Sequence, residues 1–172
     1  MKLRDALSLL TGVSMLALAM AAIGAPRAGG SGDDDPDVLE IRHYRLTLDK
    51  ADKTGTAMQS INQLVASNPS LNAAMDSNTA TGKKPITQQA QDIDAKYPQV
   101  AAIIHANGLA TREFIVVTGA IINDAGFVGM KKQGLISAYP PNSITPENAA
   151  LLEQNWDKFQ AIMAKMTPPN VR

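Results

Sequence analysis

"REFIVVTGAIINDAGFVGM", residues 112–130, is the most apolar stretch of the chain beyond its N-terminus, and only Arg112, Glu113 and Asp124 in it carry charge. Three structures compete for it: a buried strand, a membrane span and the spine of a soluble helical domain. Thr111 supplies an N-cap, and Glu113 places a carboxylate in the first turn, at the positive helix pole. Lys131 and Lys132 suit the negative pole, and Gly134 suits a left-handed stop. These signals bracket a helix roughly 32 Å long at the standard rise. The β-branched run Ile115–Val117 favours a strand but leaves the caps and the length unexplained. A span needs about 20 uninterrupted apolar residues, and Asn123 and Asp124 interrupt this one. The pattern therefore predicts a buried helix of a soluble domain.

At 100° per residue, Phe114, Val117, Ile121, Ala125 and Val128 form a bulky stripe. Glu113, Asp124 and Lys131 share a narrow polar strip. Val116 and Phe127 break the polar side, so neighbours should cover the helix on most faces. Gly119, Gly126 and Gly129 line one flank beside Ile115 and Ile122. Each glycine costs a helix about 1 kcal/mol relative to alanine. Three on one flank predict close approach there, by another backbone or by a ligand. Gly119, Ile122, Gly126 and Gly129 are thus the candidate ligand groove.

Working outward, "SITPENAALLEQNWDKFQAIMAKM" opens on Thr145 as cap and Pro146 at the first helical position. Its stripe of Ala149, Leu152, Trp156, Phe159, Met163 and Met166 predicts one continuous helix. The segments Pro140–Asn142 and Pro168–Asn170 punctuate it. On the other side, Pro98 starts a helix that Gly108 ends. Before it, Ile86, Ala90, Ile93 and Tyr97 make one seam, and Asn68-Pro69 caps and starts a short helix to Met75. A helix from Thr47 or Asp49 to about Ala66 carries Leu48, Ala51, Gly55, Met58, Ile61 and Val65 on one face. Val38–Leu48, "VLEIRHYRLTL", partly alternates, and we read it as an extended arm laid on the domain.

Residues 26–37, "PRAGGSGDDDPD", read as a flexible linker. Its aspartates lack the spacing and distal glutamate of a calcium loop. Residues 1–25 read as an export signal: Lys2 and Arg4 precede the apolar run Ala6–Ile23, and small residues follow. An uncleaved membrane anchor is the alternative, since the run is long and Asp5 is unusual in a basic leader. Residues 38–172 then form the folded domain, in the periplasm or outside the cell.

Sixteen basic and sixteen acidic side chains balance, which argues against a nucleic-acid partner. Aromatics are only 4% of the chain, so the core falls to aliphatic residues and favours helices. No cysteine is present, which excludes disulfides, thiolate nucleophiles and cysteine-ligated metals.

Of the two histidines, His43 and His105, His105 lies near a helix C-terminus, where an imidazolium is favoured. It is the one candidate functional histidine. A hydrolase would combine it with Asp124 and Ser60, Ser67 or Ser137, yet no nucleophile elbow is present. A haem bundle would set it opposite Met58 or Met130. Glu113 and Asp124 lie about 16 Å apart along one helix, too far to share one scissile bond. No metal or cofactor site is expected. Thr47–Lys50, "TLDK", with Gly108-Leu109 before the central helix, resembles small exported bacterial proteins, a resemblance that implies no activity. The sequence thus predicts an all-α compact bundle of about five helices around a buried central one. Its expected role is an interaction module for a protein, a peptide or a small apolar ligand, with membrane contact only through an uncleaved N-terminus.

Overall fold

The computed structural model describes residues 35–79 and 84–168, and all regular structure among them is helical. The helices are α1 (Pro36–His43), α2 (Leu48–Ala66), α3 (Pro69–Thr79), α4 (Ile86–Lys96), α5 (Pro98–Ala106), α6 (Thr111–Lys132), α7 (Pro146–Gln154) and α8 (Trp156–Met166). The export signal at 1–25 and residues 26–34 of the expected linker lie outside the described residues, while Asp35–Asp37, the linker's expected end, cap and begin α1.

Among the described residues there are eight helices where about five were expected, and two local features add to the number. The supposed arm is largely helical. Asp35 caps α1 by accepting the Asp37 N–H at 3.0 Å, and Pro36 sits at the first position. Only Tyr44–Thr47 runs on without helix. The last predicted helix is broken at Asn155, whose side-chain amide takes the Leu151 carbonyl at 2.9 Å and whose backbone leaves the helical region. Such local side-chain bonds compete with the helix ladder.

α6 is the hub, in contact with α1, α2, α4, α5 and α7. Phe114, Val117, Ile121 and Val128 of the predicted stripe are all at most 1% exposed. α6 is the one helix among the described residues long and apolar enough to cross a membrane, yet 67% of its most apolar window is buried inside the protein. It ends as expected. Gly134 takes φ +72°, its N–H reaches the Lys131 carbonyl, and the Leu135 N–H reaches that of Met130, which closes the orphan carbonyls of the last turn. Gly108 ends α5 the same way, at φ +74°.

The start of α6 departs from expectation. Ala110 holds the cap position, and Thr111 is the first helical residue. Thr111 turns its hydroxyl to Asp94 on α4.

α8 lies along α2 and meets α7, while α3 packs on α2. Gly55 on α2 lets the two backbones come close: a methyl built there would sit 3.0 Å from Cγ2 of Ile162 and 3.4 Å from its carbonyl oxygen. α1 is tied down by polar bonds from both neighbours. Arg112 on α6 forks onto both oxygens of Glu40, and Asp37 accepts the Ile86 N–H of α4 at 2.8 Å.

Candidate functional site

The four residues of the predicted groove follow one side of α6 over about three turns, and the structure treats them differently. At Gly119 the face is closed by Ile41 of α1, whose Cδ1 would lie 2.9 Å from an added Cβ. At Gly129 it is bounded by the Trp156 ring, with Cη2 at 3.5 Å from such a Cβ. Between them nothing lies within 4 Å of a Cβ built at Gly126, and Ile122 is 48% exposed. The groove expectation thus reduces to an open apolar step, Ile122–Gly126, between two hydrophobic walls.

Trp156, the only tryptophan of the chain, also lines a cavity of about 420 Å³ between the end of α6 and the α7–α8 break, with Lys132, Gln154 and Asn155 among its walls. The Lys132 ammonium sits 5.7 Å from the Trp156 ring centroid, and Lys131 sits 4.6 Å from that of Tyr139. Both are within cation–π range. Lys131 and Tyr139 converge on Glu153, at 2.8 and 2.6 Å. Burial first, then the Glu153 carboxylate, pushes the Tyr139 phenol well above its ordinary range. The break at Asn155 puts Trp156 here, and an unbroken apolar stripe would not have shown it.

His105 lies elsewhere, at the junction of α4, α5 and α6. Its Nε2 is 3.2 Å from the Thr111 hydroxyl and 3.9 Å from Asp94 Oδ1. The Thr111 hydroxyl donates to Asp94, so all three groups meet at one oxygen. In a nucleophile–base–orienter chain, by contrast, the imidazole accepts the hydroxyl proton and hands its other nitrogen to the acid. Ser60 and Ser67 bond to carbonyls of their own helix, and Ser137 is exposed in the loop after α6. Asp124 is engaged by asparagines, not by His105. Met58 is buried on α2. Glu113, at the surface, pairs with Lys50 at 2.9 Å and accepts from Tyr44.

Asp124 forms a constellation that sequence reasoning missed. It is 0% exposed, and so is Asn148 on α7. Asn123 Nδ2 donates to one carboxylate oxygen at 2.9 Å, and Asn148 Nδ2 donates to the other at 2.7 Å. Each amide spends its second hydrogen on a loop: Asn123 on the Ser143 carbonyl at 2.8 Å, Asn148 on the Tyr44 carbonyl at 2.8 Å. The Asn148 carbonyl oxygen accepts the Leu46 N–H at 3.0 Å. Burial pushes the Asp124 carboxyl up to about 6, against the downward pull of the two amides. The available signal was the pair Asn123-Asp124 inside an otherwise oily helix. Buried polar groups seek partners, but nothing local named Asn148.

No protein-family model matches the chain, and neither a curated protein nor a solved structure does.

Proposed function

We propose that this chain is an exported helical binding module, rather than an enzyme, which receives an apolar segment of another protein or a small apolar ligand on the Ile122–Gly126 step of α6. One observation carries the reading. On a helix otherwise sunk in the core, a large aliphatic side chain stands 48% exposed beside a glycine with open space above it. The flanking walls, Ile41 and Trp156, give the step an edge at each end. Ligand sites are lined mainly by apolar side chains. Export is supported by Lys2, Arg4 and the apolar run Ala6–Ile23.

Native mass spectrometry of the protein isolated from its own host tests both parts. The expected chain mass lacks roughly the first 25 residues, the length of an ordinary leader, and the spectrum shows a retained partner or ligand. Ile122→Asp is expected to abolish retention while leaving the thermal melt within a few degrees, because the side chain is not part of the core. A wild-type protein with nothing bound, or retention that survives Ile122→Asp, would refute the site. A full-length mass would refute processing.

A further inference from the structure

Asp124 joins pieces of the fold that are distant in sequence. Through Asn148 it holds α7 and the Tyr44–Leu46 segment, and through Asn123 it holds the loop at Ser143. The Asn148 orientation is fixed because its oxygen must face the Leu46 N–H. Both hydrogens of each amide are then used, and the Asn148 oxygen as well. The carboxylate, with room for about four acceptor bonds, receives one from each asparagine. When ionised it is a buried charge whose donors are two neutral amides; when protonated it accepts the same two bonds more weakly but carries no buried charge.

We infer that Asp124 is a pH-operated latch: its protonated form holds α7, the 140–145 loop and the Tyr44–Leu46 segment on α6, and its ionisation loosens all three together.

Charged groups on the surrounding elements do not offset it. On α6 itself Glu113 pairs with Lys50 of α2, and Lys131 with Glu153 of α7. Arg112 pairs with Glu40 of α1, Asp92 of α4 with Lys84 and Lys96, and His105 of α5 faces Asp94. His43 at the end of α1 is exposed, as are Arg45 and Glu147 on the latched segments. Arg42 of α1 is half-buried. Burial raises the Asp124 carboxyl, the two amides pull it down, and no charged neighbour contributes. Its folded-state value of about 6 lies above the ordinary 3.8. The native state therefore holds a proton that the unfolded chain has lost over that window. The extra stability is fully present below the ordinary value and is lost as pH rises through about 6.

The test is carried out on the whole protein. The Asp124 carboxyl is titrated by ¹³C NMR, and opening at the Leu46 amide is followed by hydrogen exchange corrected for its intrinsic pH dependence. The expected midpoint lies near 6. The Leu46 opening constant should rise about tenfold between pH 5 and pH 7.5 as the shifted proton is lost. Asp124→Asn should flatten that rise. Imidazoles are the other side chains that change charge in this range, so the double variant His43→Gln/His105→Gln should keep it. A midpoint in the ordinary aspartate range, a flat wild-type profile, or loss of the rise in the double-histidine variant overturns the latch. If Asp124→Asn fails to fold, the wild-type titration and the double-histidine variant still decide.

Discussion

The two sides of α6 near its middle show opposite solutions to one problem. On one side Asp124 and Asn148 are sealed, and polar bonds cross between four segments of chain. On the other, Ile122 and Gly126 meet solvent, with nothing placed over the glycine. The costly groups lie inside and the oily ones outside, the reverse of what stability alone would select. A buried polar cluster with nearly every bond made fixes how its segments fit together, so the sealed side constrains how α7 and the two linked loops dock on α6. The open side leaves Ile122 half uncovered, and it is the side on which we propose binding.

The largest expected effect comes from breaking the sealed side. Asn148→Ala removes three hydrogen bonds and strands the Leu46 N–H, the Tyr44 carbonyl and the Asp124 carboxylate. Unsatisfied buried groups cost about 1–3 kcal/mol each, and more when charged. A loss of about 3–5 kcal/mol is expected in urea unfolding at neutral pH. A loss below about 1 kcal/mol would show that water replaces the amide at no great cost and that the two sides of α6 differ little in energy.

How far the sequence revealed these two sides follows from the range of the interactions. The ends of α6, the Gly108 stop and the Thr145-Pro146 start depend on residues within one turn, and all but the Thr111 cap are found where the signals put them. Thr111 is drawn away by Asp94, 17 positions earlier. α1 was hidden because it buries only Ile41, so it carries no apolar stripe, and its helix is held by Arg112 and Ile86 from elsewhere. The Asn155 break was hidden for the opposite reason: a continuous stripe crosses it, and one amide decides against the pattern. The glycine flank was legible as a feature of α6. That Ile41 closes one end of it and Trp156 the other depends on how α1 and α8 dock.

Two glycine substitutions of intermediate size sharpen the comparison, because one helix and one chemical change should give opposite signs. Gly126→Ala meets nothing within 4 Å and gains helix propensity, so stability should rise by about 0.5–1 kcal/mol. Gly119→Ala would press on three side-chain atoms of Ile41, at 2.9, 3.1 and 3.2 Å. A β-branched side chain has few rotamers to retreat into, and overpacking of this kind costs about 1–3 kcal/mol. Net of the propensity gain, a loss of up to about 2 kcal/mol is expected in thermal or urea unfolding. Equal effects at the two sites would mean that α1 yields freely and does not define the edge of the open step.

The smallest effect is expected away from both sides, where α8 meets α2. Lys165 reaches Asp52 at 2.8 Å, and the two side chains are 36% and 61% exposed. An exposed pair gains little in water and immobilises two long side chains, so Lys165→Ala should change stability by no more than about 0.5 kcal/mol. Below it in the same interface, Phe159 and Ile162 are 0% and 4% exposed, with Ile162 against Gly55. Ile162→Ala should therefore cost about 2–5 kcal/mol, the range for truncating a buried aliphatic side chain. A Lys165→Ala loss comparable to that of Ile162→Ala would place the α2–α8 contact under electrostatic control and give it a steep salt dependence, which close packing at Gly55 does not predict.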